Sequence, residues 1–99
     1  MTKLLPQDQI DEKMIMLNEW NLEDNDVGQL VKEFEFKTPK QAFDFVGKIG
    51  TVSETIGQTP DVLIHSNGQF VELMITDYDY EGITQKCLDL AFEIDGIEL

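Results

Sequence analysis

Ser53-Glu54-Thr55-Ile56-Gly57-Gln58-Thr59-Pro60-Asp61-Val62-Leu63-Ile64-His65-Ser66-Asn67-Gly68-Gln69-Phe70-Val71-Glu72-Leu73-Met74-Ile75-Thr76-Asp77, continuing through Tyr78 to Ile83, joins a helix end to a β-hairpin. Two β-rich runs flank Asn67-Gly68, the dipeptide best suited to the left-handed conformations of a type I′ turn. A two-residue loop there pairs Ser66 with Gln69, His65 with Phe70, Ile64 with Val71 and Val62 with Leu73. That register gives two faces. Val62, Ile64, Val71, Leu73 and Ile75 form an apolar face for packing on helices, and Leu63, His65, Phe70, Glu72 and Met74 form a mixed one.

Upstream, Thr38-Pro39-Lys40-Gln41 is a helix start. Thr38 can cap, Pro39 fits the first helical position, and Gln41 can reach back to complete a capping box. Ala42, Phe45, Val46, Ile49, Val52 and Ile56 then recur at three- and four-residue intervals, which makes this the central core helix. Gly47 and Gly50 are expected to permit close approach of another element, and Gly57 to end the helix in a left-handed conformation. Before it, Gln29 to Lys37 alternates, with Leu30, Lys32, Phe34 and Phe36 on one face and Val31, Glu33 and Glu35 on the other. A short segment from Trp20 to Leu22 pairs with that run across the acidic loop Glu23 to Gly28, and Trp20 is read as a core or sheet-edge anchor. Pro6 to Leu17 reads as a helix with Ile10, Met14 and Leu17 on one face. Met14-Ile15-Met16 broadens its apolar girth beyond what one sheet needs, leaving the excess for the core or for a subunit contact.

Downstream, Thr84 is the expected cap of a last helix in which Cys87, Leu90, Ala91 and Ile94 share a face, and Asp95 to Leu99 is expected to fray. Helix, two strands, helix, two strands, helix describes an α+β two-layer sandwich: a four-stranded antiparallel sheet with its helices on one face. The expectation is a single domain over residues 1–99. One sheet face stays uncovered and the edge strands need protection, so a homo-oligomer, dimer or tetramer, is expected.

Twenty acidic residues against seven basic ones give a formal charge of −13, and every basic residue is a lysine. With no arginine, bidentate recognition of phosphate is absent, and the negative field repels nucleic acid and anionic membrane. So much negative charge reads as a soluble, self-repelling surface, with a basic partner as the alternative. Cys87 is the only cysteine, the N-terminal residues lack a signal-peptide core, and no apolar run reaches membrane-spanning length, so a cytoplasmic location is expected.

Trp20, the run Leu30 to Phe36, Ala42-Phe43-Asp44-Phe45-Val46, Ser53-Glu54, Pro60-Asp61, Val71-Glu72-Leu73, and Gly82-Ile83-Thr84 followed by Leu88-Asp89-Leu90-Ala91 together resemble the pterin-4a-carbinolamine dehydratases. The resemblance spans residues 5 to 95. It implies a small α+β subunit that forms dimers and tetramers and dehydrates a 4a-hydroxy-tetrahydropterin with no metal or organic cofactor. Some members bind transcription factors, and others act as assembly chaperones. The family's two consecutive histidines before the proline correspond here to Gln58 and Thr59. A third histidine, at the end of the fourth strand, corresponds to Thr76 or Asp77, and an acidic residue early in the last helix corresponds to Cys87.

Expelling hydroxide from a carbinolamine needs a proton donor and a proton acceptor, which imidazole supplies near neutral pH. Gln and Thr orient a ligand by hydrogen bonds without exchanging protons. Gln58, Thr59, Pro60 and Thr76 are therefore expected to line a pterin-like ligand site. Glu54, Asp61 and Asp77 are the candidates to replace the lost acid–base groups if they gather around one cleft; the alternative is that all three are solvated. His65, the sole histidine, falls on the mixed sheet face. One histidine without cysteine ligands makes no metal site. Two functions follow from the resemblance: a silent member acting by binding a protein partner or small ligand, or a dehydratase using carboxylates.

Overall fold

The computed structural model describes residues 3–17, 19–24 and 28–98. Its elements are α1 (Gln7–Met14), β1 (Asn21–Asp24), β2 (Gly28–Glu35), α2 (Pro39–Ile56), β3 (Asp61–His65), β4 (Phe70–Ile75) and α3 (Gln85–Asp95). The strands form one antiparallel sheet in the order β1-β2-β4-β3. The expected α+β sandwich is present. Leu30, Val71, Leu73 and Ile75 point from the sheet into a core closed by Ile10, Ala42, Phe45 and Ile49, and by the buried stripe of α3 from Cys87 to Ile94. Period two in the strands and near 3.6 in the helices brings these residues together. No helix among the described residues is long and apolar enough to cross a membrane.

At the start of α2 the expected cap forms, but the reciprocal bond of the capping box lands one residue early. Thr38 Oγ1 accepts from the Gln41 N–H at 3.3 Å, and Gln41 Oε1 accepts from the Lys37 N–H at 3.1 Å, one residue before the cap. Gly57 closes the helix at φ +82°, its N–H donating to the Ser53 carbonyl at 2.8 Å. Gly47 and Gly50 do not meet another element: a methyl group on either would touch nothing within 4 Å. They lie on the outer side of α2, because the apolar residues that turn the helix inward occupy the opposite face.

Around the hairpin, His65 pairs with Phe70, Ile64 with Val71 and Val62 with Leu73, as the sequence implies. The expected Ser66–Gln69 strand pair does not form. Ser66, Asn67 and Gly68 are all left-handed, at φ 56°, 60° and 81°, so two tight turns overlap: the Gly68 N–H reaches the His65 carbonyl and the Gln69 N–H the Ser66 carbonyl. Gly68 is obligatory there, since a Cβ on it would lie 2.9 Å from Pro39 Cβ. Val62, although on the core-facing side, remains 38% exposed because β3 is an edge strand.

Helix α1 is shorter than expected. Pro6 is its cap rather than its first residue, and Leu17 is buried from a turn beyond the helix, its N–H bonded to the Met14 carbonyl. Ile15 and Met16 are exposed, so the extra apolar girth does not serve the core of this chain. The acidic loop expected over residues 23 to 28 falls partly outside the described residues, as does Leu99. The residues before Leu99 do not fray: the Ile97 N–H bonds the Ile94 carbonyl, and Lys48 Nζ donates to the Glu98 carbonyl.

Trp20 anchors the sheet to α3. Its Nε1–H donates to both carboxylate oxygens of Asp95 at 3.0 Å, and the Lys32 ammonium, itself nearly buried, meets the same carboxylate at 2.9 Å. The ammonium also stands 4.8 Å from the centre of the Phe34 ring, a further attraction for a cation held away from water.

Candidate functional site

The C-terminal end of α2, the turn into β3 and the loop after β4 meet at one end of the sheet. Gln58 Nε2 donates to the Thr76 carbonyl at 2.9 Å, holding the α2–β3 turn against the residue that follows β4. Thr76 is buried; its hydroxyl donates to the Gly28 carbonyl at 2.7 Å, at the start of β2. Gln58 and Thr76 are therefore brought together, and Pro60, which follows Gln58 and Thr59 in the chain, is also buried. Thr59 is exposed.

The three candidate carboxylates take different positions. Glu54 is exposed on the last turns of α2. Asp61 is exposed at the start of β3 and accepts a hydrogen bond from the Tyr78 hydroxyl. That bond raises the Tyr78 phenol above its usual value, because ionising it would forfeit the donor and place a second negative charge beside the carboxylate.

Asp77 differs from a solvated loop acid: it is 7% exposed. Its carboxylate accepts from the Asp79 N–H at 3.1 Å and from the Thr84 hydroxyl at 3.2 Å. Its backbone bridges to Gly82, closing the Tyr78–Glu81 loop in which Glu81 is left-handed. This carboxylate organises the loop through Asx-turn chemistry.

Thr84 occupies the cap position of α3 without capping it by its side chain, and its hydroxyl donates instead to the Asp77 carboxylate. The same hydroxyl lies 3.6 Å from Cys87 Sγ. Burial pushes the Cys87 thiol up, outweighing its contact with Thr84, so the sulfur is a packed thiol rather than an activated thiolate.

Sequence reasoning missed one group here. Ser53, on the inner face of α2, has a buried hydroxyl oxygen with no hydrogen-bond partner. Its helical spacing from Ile49 marks it as inward-facing, and no sequence signal says that its hydroxyl goes unmatched. Among the described residues no three His, Cys, Asp or Glu side chains gather as a metal ion would require. Surface concavities among the described residues include one of about 490 Å³ along α2, lined by Phe43, Gly47 and Lys48 among others, one of about 140 Å³ between α1 and α3, beside Met16 and Phe92, and one of about 240 Å³ beside Thr55, Ile56 and Glu93.

His65 lies on the opposite side of the sheet, as its register requires. Its Nε2 meets Glu33 Oε2 at 2.8 Å, and its ring stacks on Phe70 at 5.4 Å between centres.

Comparison with known proteins gives a consistent picture. The profile of the pterin 4 alpha carbinolamine dehydratases matches residues 3–97. A Gloeobacter violaceus protein provisionally named pterin-4-alpha-carbinolamine dehydratase 2 is 33% identical over 92 residues, covering 92% of this chain and 97% of its own length. A Nostoc punctiforme protein with a similar provisional name is 34% identical over 98 residues, covering 99% of this chain and all of its own. Among solved structures, a transcriptional coactivator/pterin dehydratase from Brucella melitensis superposes with a TM-score of 0.85 at 19% identity, covering 95% of this chain and 97% of its own. A pterin dehydratase-like protein identified as a RuBisCO assembly factor in the α-carboxysome superposes with a TM-score of 0.66 at 19% identity, covering 80% and 88%. With its sandwich, its strand order and its sequence in agreement from end to end, the chain belongs to the pterin 4 alpha carbinolamine dehydratase family.

Proposed function

We propose that this chain is a single-domain member of the family that acts by binding a protein partner or a small ligand, its acid–base site being degenerate. One observation carries the reading. Gln58, which stands where the resemblance puts the first of two histidines, uses its amide N–H to hold the Thr76 carbonyl at 2.9 Å. A side chain so placed fastens two segments together and exchanges no proton.

The carboxylates do not fill the gap. Those of Glu54 and Asp61 are exposed, and that of Asp77 accepts hydrogen bonds from groups of its own loop and helix start. General acid–base catalysis contributes about 10²–10⁴-fold, and neither Gln58 nor Thr59, at the family's histidine positions, can exchange the proton it needs. The RuBisCO assembly factor among the structural neighbours shows that the same fold serves assembly in another protein, which supports a binding role here. Strands β1 and β3 each leave one backbone edge unpaired among the described residues, which supports a homo-oligomer.

The second reading is a dehydratase acting on a 4a-hydroxy-tetrahydropterin with carboxylates in place of imidazoles. The relatives at 33% and 34% identity favour it, together with the burial of Asp77 close to Gln58's partner Thr76. Absorbance-monitored dehydration of 4a-hydroxy-tetrahydrobiopterin separates the two. The binding reading expects decay at the uncatalysed rate; turnover that disappears in Asp77→Asn or Glu54→Gln would establish the dehydratase.

A further inference from the structure

We propose that the open face of the sheet is a docking surface for a basic, partly apolar segment of a partner protein. The proposal rests on the binding reading above and adds where the partner sits and what its chemistry is. The helices cover one sheet face, so the outward-facing side chains of β2, β3 and β4 lack a layer over them. Val31, Leu63, Phe70 and Met74 form the centre of that face, Leu63 being 49% exposed and the others half-buried. The register sets Val31 against Met74 and brings Leu63 alongside Glu72.

Acidic groups surround this apolar centre: Glu33 and Glu35 on β2, Asp61 on β3 and Glu72 on β4. The only lysine within the four strands is Lys32, and it turns to the core to meet Asp95. Glu33 and Glu72 are directly opposed in the β2–β4 ladder, an arrangement that like charges destabilise. His65 contacts Glu33 at 2.8 Å, while Glu35 and Glu72 have no cationic partner among the described residues. The face thus carries a repulsion that a cation from outside would relieve.

The same charges exclude other occupants. A second copy laid face to face would set these carboxylates against their counterparts with no lysine between them, and a nucleic acid or anionic membrane would bring more negative charge. Lysine or arginine side chains reaching the rim, with apolar side chains on the Leu63–Phe70–Met74 centre, complement the face in both charge and character. Four strands spaced about 4.8 Å apart, with about six residues each, present on the order of 400 Å². That is half of one partner's share in a standard interface, so the contact should be weak and salt-sensitive.

Titration of the ¹⁵N-labelled full chain with a short peptide alternating lysine and leucine, followed by amide chemical shifts, tests this. The expected result is shifts confined to β2, β3 and β4, weakening as NaCl rises from about 0.05 to 0.5 M, and absent with the peptide carrying glutamate for lysine. Glu72→Lys should reduce affinity at least about fivefold, whereas Glu12→Lys, the same charge change on exposed α1, should leave it within about twofold. Glu72→Lys should melt no lower than the parent, since it removes the opposition to Glu33, so lost binding would not reflect lost fold. Shifts centred on the helices, equal losses in the two variants, or a dimer dispersed by Leu63→Glu would overturn the proposal. Pterin turnover would sink the binding-only reading without altering the shift map; a flat shift map would sink the docking surface while leaving the chain inactive.

Discussion

Cys87 shows how a residue of modest chemistry becomes a pH-dependent part of the core. Burial raises its thiol above the ordinary value of 9.0, so the folded state keeps the proton where the unfolded chain releases it. A raised acid favours the folded state fully below the unfolded value, and the contribution is lost as pH climbs from there toward the folded value. Urea midpoints should therefore decline above about pH 9, and Cys87→Ala should flatten the part of that decline nearest pH 9, whatever it does to absolute stability. The Tyr78 phenol, raised by its bond to Asp61, adds a slope of the same sign and remains in that variant. At this scale the sequence was a partial guide. The inward position of Cys87 followed from helical spacing, but the role of Thr84 did not. A threonine before a helix reads as a cap, but no backbone N–H of α3 donates to Thr84 Oγ1, and its hydroxyl donates to Asp77. The burial of Asp77 was equally illegible, because it depends on a loop that returns to Gly82.

Helix α2 and the hairpin make opposite demands on glycine. Ala at Gly47 should stabilise the chain by about 0.5–1 kcal/mol, since the position is helical, exposed and free of neighbours within 4 Å of an added methyl. Ala at Gly68 should destabilise it by more than about 1 kcal/mol, because the methyl adds a clash with Pro39 to an already left-handed backbone. Thermal melts of the two variants should move in opposite directions, and a fall for both would mean that the outer side of α2 is covered in solution. Local chemistry made most of each element readable: Thr38-Pro39 and Gly57 delimit α2, and the alternation on either side of Asn67-Gly68 fixes the β3–β4 pairing. The left-handed conformation of Ser66 escaped, since serine carries no preference for it. Gly47 and Gly50 misled for a related reason. A helical glycine signals either close packing or an unused surface, and only the position of the neighbouring element distinguishes them.

For the whole molecule, a formal charge of −13 on 99 residues means that folding concentrates like charges. Raising ionic strength from about 0.01 to 0.15 M shortens the screening length from about 30 to 8 Å, and the melting temperature should rise as repulsion between exposed carboxylates is screened. A melting temperature indifferent to salt would show that the charges are already neutralised by bound counterions or a partner. The sandwich was legible because one apolar face per element leaves few ways to close a core. The candidate site was less so, because whether Glu54, Asp61 and Asp77 share a cleft is decided by the loop after β4 and not by spacing.

The bond between Lys32 and Asp95 joins residues 63 positions apart. Closing so long a loop is entropically late, so the latch is expected to form after the barrier to folding, once the sheet has placed β2 and α3 has docked. Interactions made after the transition state act on the rate of escape rather than the rate of arrival. Asp95→Ala should therefore steepen unfolding in stopped-flow measurements while leaving refolding nearly as fast. The contact that ties the last helix to Trp20 and Lys32 would then govern how long each folded molecule survives, more than how readily it is made.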